Sequence, residues 1–303
     1  MSKTMTRRGF CRTVAAAGTA AAVPLMAPRT ARAAPSKGEF AGRIYKAVKV
    51  SMISGEMPLL DKFQLAKDVG FEGISLFAPD RFDVKEAIDA RDKTGLEIHN
   101  VNNAVHWKHR LSDPDPAVRA ESLAATLETI RFAHAVGASS MLQVVGKVTD
   151  PVNENHEQVW ERSMAELRKA IPLAARLGVR ILCENVRNDF CTTPEQWNAY
   201  LDGFASPWVG AFFDIGNNHS HGGADRWARE LGTRIVKLDV KGHDSKKQDN
   251  CNILEGDVDW AAVRRELAAI QFTGWATCEV RGGNRDRLRQ VVERMDQVLG
   301  IVS

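Results

Sequence analysis

The chain has 303 residues, 41 basic and 38 acidic side chains, and a formal charge of +3. Residues 1–33 hold six of the basic residues and none of the acidic ones, so the rest has 35 basic and 38 acidic groups and a formal charge of −3. That balance argues against a nucleic-acid-binding surface. The five cysteines lack the CxxC spacing of a zinc ribbon.

The N-terminal segment has the three parts of an export signal in the correct order. A twin-arginine pattern, Thr6-Arg-Arg-Gly-Phe10, precedes an Ala-rich apolar stretch, 14–27, and a small-x-small site at Ala31-Arg-Ala33. A disordered basic tail is the alternative interpretation. The apolar stretch is too short to span a membrane comfortably, and we expect no stable membrane span after cleavage.

These parts predict a twin-arginine signal peptide over residues 1–33, a linker over 34–43 and a folded domain over 44–303. The twin-arginine translocase is then an expected partner during export, and the expected location is periplasmic or extracytoplasmic. Because this route carries folded proteins, we expect the fold and any metal to be acquired in the cytoplasm.

After the linker, short apolar runs alternate with longer amphipathic ones. The predicted strands cover residues 46–53, 72–78, 96–102, 139–145, 179–185, 209–215, 234–241 and 275–280. The predicted helices lie near residues 58–69, 83–94, 115–136, 156–177, 193–203, 224–231, 259–269 and 284–299. Eight strands alternating with eight helices predict an α/β fold, the (β/α)₈ TIM barrel, as a single domain. A doubly wound open sheet is the runner-up, but residues 53–58 (ISGEMP) lack its glycine-rich phosphate loop.

The four late strands each bring an acid to the barrel end that carries the active site in such folds. Alternation along each strand assigns these acids inward: Glu184, Asp214, Asp239 and Glu279. The seventh strand, VKLDVKGHD, is expected to place Val236, Leu238 and Val240 on one face and Lys237, Asp239 and Lys241 on the other. Charges on the inner face must be paired or must bind something.

Four carboxylates at one barrel mouth repel one another, and in a poorly solvated site that repulsion raises their pKa values. A divalent cation would relieve the conflict, and Lys237 and Lys241 on the same face would neutralise part of it. An all-carboxylate site favours Mn²⁺ or Mg²⁺, whereas an added imidazole moves the preference toward Zn²⁺, Co²⁺ or Fe²⁺. We therefore expect one divalent metal ion.

Six short stretches then point to a family. In chain order they are His106-Trp-Lys-His109, Asp113-Pro-Asp-Pro116, Glu184-Asn-Val186, Phe213-Asp-Ile-Gly-Asn217, Leu254-Glu-Gly-Asp-Val-Asp-Trp260 and Glu279-Val280. Together they resemble the xylose-isomerase-like (β/α)₈ superfamily of sugar isomerases and epimerases, in its sugar phosphate isomerase/epimerase branch. The stretches span nearly all of the chain after the signal.

In that superfamily a Glu, an Asp, a His and a second Glu at the ends of strands five to eight hold the metal. The resemblance places these ligands at Glu184, Asp214, Asp239 and Glu279, so an aspartate stands where the histidine is usual. His243, just beyond the strand, is the alternative to Asp239. Substrate-binding roles fall on His106, Asn217 and Lys241, with Asn217 at a position where the family often has a histidine.

The resemblance implies an exported, metal-dependent sugar isomerase or epimerase that works through a cis-enediolate. Glu184 and Glu279 would remove and return the proton α to a carbonyl, and the metal would stabilise the developing charge. Export makes a free sugar or an oxidised glycoside the expected small-molecule substrate, since phosphorylated sugars are mainly cytoplasmic. Barrels of this family often dimerise, so a homodimer is an assembly that the resemblance allows.

Three alternatives stay open at this point. The same metal site would serve a 3-keto-glycoside lyase or hydratase. A non-catalytic carbohydrate-binding barrel is supported by the Asp239 departure but opposed by the presence of both Glu184 and Glu279. A phosphodiesterase of the endonuclease IV type needs a His-rich multi-zinc cluster and a basic surface, neither of which the sequence indicates.

Overall fold

A closed parallel barrel forms the centre of the molecule, as the strand and helix count predicts. The computed structural model describes residues 38–302. In spatial order its strands are β1 (Ile44–Lys49), β10 (Gly274–Cys278), β7 (Ile235–Val240), β6 (Val209–Asp214), β5 (Arg180–Glu184), β4 (Ser140–Gln143), β3 (Glu97–Asn103) and β2 (Gly73–Ala78). Pairing of β1 with both β2 and β10 closes the barrel.

Eight of the described helices surround the barrel at the positions that the apolar periodicity predicts. They are α1 (Leu59–Val69), α2 (Val84–Thr94), α3 (Pro116–Val136), α4 (His156–Leu177), α5 (Pro194–Asp202), α7 (Ala224–Leu231), α8 (Trp260–Ala269) and α9 (Arg285–Leu299). Thr193 and Asp259 cap α5 and α8 by accepting hydrogen bonds from backbone amides of the first turn. Gly70 ends α1 at a φ of 107°, a left-handed conformation that favours glycine.

The sequence-based assignment missed three short elements that follow the barrel strands β6 and β7. Helix α6 (Ile215–His219) continues directly from β6. A hairpin of β8 (Gly242–Asp244) and β9 (Asp249–Cys251) follows β7. All three are too short to show a period in the sequence, yet they bring polar side chains over the barrel mouth.

The expected alternation in β7 is wrong at Val236. The pairing of β6 with β7 slips between Ala211 and Phe212, so that two residues of β7 oppose one of β6. Val236 therefore packs on the small apolar cluster of Leu142, Leu182 and Phe212, apart from the main core that holds Leu238 and Val240. From Lys237 onward the alternation is the expected one, with Lys237, Asp239 and Lys241 on the inner face.

Lys237, a charged residue on the inner face of β7, is paired through hydrogen bonds inside the barrel. Its ammonium donates to Ser140 Oγ at 2.7 Å and to Ser139 Oγ at 3.1 Å, and also to the carbonyl of His99. Burial lowers its pKa to about 7, helped by the charge of Arg180. Lys237 therefore belongs to a polar layer within the barrel, with His99 stacked on Trp275 at 4.8 Å.

The predicted signal peptide, 1–33, and residues 34–37 of the predicted linker lie outside the described residues. Residues 38–43 form turns that lead into β1, where the predicted domain begins. Among the described helices, none combines the length and the apolar character needed to cross a membrane.

Candidate active site

Four acids from four strands meet at the barrel mouth. Glu184 ends β5, Asp214 ends β6, Asp239 lies near the end of β7 and Glu279 directly follows β10. One carboxylate oxygen from each lies within 4.8 Å of the others. Glu184, Asp214 and Asp239 are buried, whereas the side chain of Glu279 is 36% exposed and faces the opening. The acids predicted to converge do so because parallel strands end at the same rim.

Two lysines neutralise part of this cluster. Lys49 Nζ lies 2.9 Å from Asp239 Oδ2 and 2.6 Å from Glu279 Oε1. Lys241 Nζ lies 2.7 Å from Asp214 Oδ2 and 2.5 Å from Glu279 Oε2. Lys241, expected to neutralise part of the carboxylate charge, does so at Asp214 and Glu279, whereas Lys49 pairs with Asp239. The two ammonium groups enclose Glu279 and leave Glu184 without an ion pair among the described residues.

Lys49 is a residue of the candidate site that the sequence reasoning missed. It ends β1, on the far side of β10 from the other late strands. The available signal was a single charge inside the apolar run Ala47-Val-Lys-Val50, where a buried lysine needs an acidic partner. No local pattern names that partner, since Asp239 is 190 residues away in the chain.

The surroundings shift the pKa values of Glu184 and Glu279 in opposite directions. Burial, followed by the charge of Glu279, raises the pKa of Glu184 well above its usual value. Burial also raises the pKa of Glu279, but Lys49 and Lys241 outweigh that effect and hold this pKa below the usual value. Burial raises the pKa of Asp214, and it raises the pKa of Asp239 to about 7.

The carboxylate cluster fits a hard divalent cation. Four carboxylates and two ammonium groups leave two negative charges when all are ionised, which one divalent ion balances. Neither oxygen of Asp239, nor Asp214 Oδ2, accepts a well-angled hydrogen bond from a described residue, although lysines approach within ion-pair distance. Buried oxygens of this kind are suitable ligands for Mn²⁺ or Mg²⁺. Their role as metal ligands stays a prediction.

His243, the alternative ligand, lies away from the carboxylate cluster. Its ring is fully buried, and its Nδ1 lies 3.1 Å from Asn250 Oδ1 on the facing strand of the hairpin. The group of potential ligands found among residues 38–302 contains Asp239 and not His243. His219, on α6, lies near Asp257, with 3.5 Å between its Nε2 and Oδ1 of that acid.

The three predicted substrate-binding residues line one cavity together with Glu184 and Glu279. Asn217 Nδ2 donates to Glu184 Oε1 at 3.1 Å. His106 Nδ1 accepts from the Val144 amide at 3.3 Å, which leaves Nε2–H to donate into the cavity. Burial, followed by the charge of Lys49, lowers the pKa of His106 to about 3, so the imidazole is neutral. Lys241 reaches the cavity beside Glu279.

The cavity measures about 570 Å³. Apart from the acids and lysines, its wall includes Asn102, Asn103 and Asn250, and Trp107 stands at the mouth with 52% of its surface exposed. A second lobe of about 370 Å³ adjoins it and shares Ser51, Phe77 and Ala104 with the first. Hydroxyl-rich substrates suit such a wall, because amides and imidazole both donate and accept hydrogen bonds.

Comparison with known proteins finds relatives in sequence and in fold. An L-ribulose-5-phosphate 3-epimerase, UlaE, of Escherichia coli O1:K1 / APEC is 25% identical over 227 residues, which cover 71% of this chain and 79% of the relative. The apo structure of 3-keto-D-glucoside 4-epimerase, YcjR, from E. coli superposes with a TM-score of 0.69 at 15% identity, covering 84% of this chain and 99% of that one. The IOLI protein with a bound zinc atom gives a TM-score of 0.72 at 14% identity, covering 84% and 98%.

The family profile described as "Xylose isomerase-like TIM barrel" matches residues 63–298, from α1 to the end of α9. That range includes the four late strands and all four acids of the cluster. With the closed barrel and the position of the acids at its mouth, this match shows that the chain belongs to the xylose isomerase-like TIM barrel family.

Proposed function

We propose that this protein is a divalent-metal-dependent isomerase or epimerase of a small carbohydrate. The observation that carries the proposal is the convergence of Glu184, Asp214, Asp239 and Glu279 at the barrel mouth, where Glu184 and Glu279 line a polar cavity. Sugar 3-epimerase activity in a curated relative supports it. The reaction class is proton transfer α to a carbonyl, through an enediolate.

The two glutamates have the environments that a proton-transfer pair requires. Glu279, held as a carboxylate by Lys49 and Lys241, removes the proton from the carbon next to the carbonyl. Glu184, the other glutamate of the cluster, supplies a proton to the planar intermediate. Return to the same carbon on the opposite face gives epimerisation, and return to the neighbouring carbon gives isomerisation. His106 Nε2–H and Asn217 orient hydroxyl groups of the sugar.

Glu184, Asp214, Asp239 and Glu279 would hold the metal ion in this proposal. A bound divalent ion supplies a Lewis acid that stabilises negative charge on the sugar oxygens. The all-oxygen ligand set favours Mn²⁺ or Mg²⁺ over Zn²⁺ or Co²⁺. The zinc atom in the IOLI protein, which has a similar fold, supports the binding of a divalent ion.

Glu279→Gln tests the acid–base proposal. With L-ribulose or D-fructose in deuterated buffer containing Mn²⁺, we expect ¹H NMR to show deuterium entering the carbon next to the carbonyl. Substitution should slow that exchange by about 10²–10⁴-fold, because glutamine cannot take a proton. Glu128→Gln, an exposed change on α3, is the matched control and should exchange at the native rate.

Metal removal completes the test. Chelation should abolish exchange, and Mn²⁺ or Mg²⁺ should restore it better than Zn²⁺. Calorimetric titration with Mn²⁺ separates a lost ligand from a lost base in Glu279→Gln. Absence of exchange with every ketose tried, in a protein that binds Mn²⁺, would contradict the proposed reaction.

A second candidate, a 3-keto-glycoside lyase or hydratase, is favoured by the second lobe of the cavity. That lobe joins the first at Phe77 and is lined by Val50 and Phe82, with Lys62 and Arg81 at its edge. It has room for the aglycone or second ring of a glycoside, and a solved relative acts on a 3-keto-D-glucoside. Release of nitrophenol from a nitrophenyl 3-keto-glucoside, slowed by Phe82→Ala, would favour this candidate over the ketose epimerase.

We further propose that the protein acts outside the cytoplasm after cleavage of residues 1–33. The twin-arginine pattern, the apolar stretch and the small-x-small site support this location. An unphosphorylated sugar is then the preferred substrate, even though the curated relative acts on a sugar phosphate.

A further inference from the structure

The hairpin of β8 and β9 carries a polar connection to the acid–base site that the reaction as described does not use. Asn250, on β9, lies between His243 on β8 and Asn217 on α6. His243 Nδ1 is 3.1 Å from Asn250 Oδ1, and Asn250 Nδ2 donates to Asn217 Oδ1 at 3.0 Å. Asn217 Nδ2 in turn donates to Glu184 Oε1 at 3.1 Å.

The chemistry of these groups gives the chain of hydrogen bonds one direction. Asn250 Oδ1 can only accept, so His243 Nδ1 carries the hydrogen. Each amide then accepts at its oxygen and donates at its nitrogen, and the last acceptor is Glu184 Oε1. This assignment leaves Oε2 as the oxygen of Glu184 that is free to face the sugar or the cation.

Backbone contacts hold His243, the first residue in this series of hydrogen bonds, in a fixed position. His243 is fully buried, and its carbonyl accepts from the Asp257 amide at 2.9 Å. A Cβ on Gly256 would come within 2.0 Å of the His243 carbonyl oxygen, so glycine is required for this close approach. Arg187, three residues after Glu184, donates to the Gln248 carbonyl at 2.6 Å and ties the hairpin to the loop after β5.

We propose that Asn250 is a positioning residue, which holds Asn217 so that the Glu184 carboxyl group keeps the orientation needed for proton transfer. His243 acts as the fixed end of the same chain and not as a metal ligand. This inference rests on the proposed function only in giving Glu184 its chemical role. The hydrogen bonds themselves are independent of the reaction.

Asn250→Asp tests the proposal, because it keeps the shape and the acceptor but removes the donor to Asn217. The Asn217 amide then turns its nitrogen toward the new carboxylate, and Glu184 loses its donor. Asn250→Gln keeps both functions and should rescue the native behaviour. Asn252→Asp is the matched control, since Asn252 bonds Glu255 and lies outside the cavity wall.

Crystal structures of the full-length variants decide the point without substrate or metal. In Asn250→Asp we expect the Glu184 carboxyl group to rotate away from its native position, and in Asn252→Asp we expect it to stay. An unmoved Glu184 and Asn217 in Asn250→Asp would overturn the proposal. This readout stands even when no ketose proves to be a substrate.

Kinetics give the second readout. Loss of such a supporting hydrogen bond typically costs about 10–100-fold, and we expect this loss in the maximal rate of deuterium exchange with L-ribulose, with KM changed little. The melting temperature should remain within about 3 °C of that of Asn252→Asp. A fall in melting temperature with an unchanged rate would mean a purely structural role and would contradict the inference. Absence of exchange in the native protein would count against the proposed function alone.

Discussion

Lys49 and Asp239 form a buried ion pair at the barrel mouth. Asp239 is fully buried and stands where the resemblance expects a histidine, and Lys49 lies 2.9 Å from it. Burial alone lowers the pKa of Lys49, but Asp239 and Glu279 outweigh it and raise that pKa above the usual value. The lysine therefore remains charged and offsets the acid that replaces a neutral imidazole.

Lys49→Met should destabilise the metal-free protein by about 3–5 kcal/mol, because it leaves a buried carboxylate without its cation. Urea unfolding in the presence of a chelator measures the free-energy change. Added Mn²⁺ should narrow the difference in unfolding free energy, because the variant's more negative cluster binds the cation more tightly and so gains more stability from it. Lys85→Met is the control: the exposed Lys85–Asp89 pair should contribute under about 1 kcal/mol. Equal losses of unfolding free energy in Lys49→Met and Lys85→Met would contradict this account.

At the scale of single residues, the four acids could be identified from the sequence, but the residues that pair with them or hydrogen-bond to them could not. Alternation along β5, β6, β7 and β10 correctly turned four carboxylates toward one another, because the direction of a side chain in a strand is a local property. The choice between Asp239 and His243 also followed from strand direction. The partners of Asp239 and Glu184 lie on other elements, Lys49 on β1 and Asn217 on α6, and no local pattern identifies them.

A buried carboxylate fixes the loop between β3 and α3, which carries His106 and Trp107. Glu154 accepts two hydrogen bonds from Arg110, at 2.9 and 2.8 Å, and others from Ser112 and Thr149. It thereby joins this loop to the segment that leads into α4. Burial raises the pKa of Glu154, but the hydrogen bonds from Arg110, Thr149 and Ser112 outweigh it and lower the pKa below the usual value.

Glu154→Gln should cost about 2 kcal/mol at pH 7, since hydrogen bonds to a charged group are replaced by weaker ones. Because the folded-state pKa lies below the unfolded value of 4.5, the native advantage is complete above that pH. It is lost as the pH falls through the folded-state pKa. Urea unfolding between pH 7 and pH 3 should show the two proteins converging on the acid side.

The exposed substitution Glu128→Gln again provides the comparison for this series and should follow the native protein at every pH. The free energies of unfolding of the native protein and Glu154→Gln are compared at each pH. A difference that stays constant down to pH 3 would show that the ionised form of Glu154 is not what holds the loop.

At the scale of elements, the apolar periodicity placed eight strands and eight helices within one to four residues of their observed ends. Long periodic segments carry enough local information for this. Helix α6 and the hairpin of β8 and β9 were missed because elements of three to five residues have no measurable period. They form above the barrel mouth, where their backbone groups have hydrogen-bond partners.

At the scale of the whole molecule, the prediction to test is that the protein is exported from the cytoplasm. Arg7→Lys combined with Arg8→Lys should block export, because the translocase reads the arginine pair. Fractionation of a bacterial host followed by mass spectrometry should find the native protein outside the cytoplasm, beginning at Ala34, and the double variant retained at full length. Lys3→Arg with Arg29→Lys, outside both the arginine pair and the cleavage site, is the control. Native protein that keeps residues 1–33 in the cytoplasm would contradict the export proposal.

The sequence by itself determined the barrel, the inward direction of four acids and the family. Each of these depends on local periodicity or on motifs in a fixed order, which the linear chain contains. Only the tertiary structure decided that Lys49 lies between Asp239 and Glu279, and that His243 reaches Glu184 through Asn250 and Asn217. Barrel closure between β1 and β10 brings together residues about 190 or more positions apart. Charge pairing and hydrogen bonding act through space, so these partners are set by the folded arrangement and not by sequence spacing.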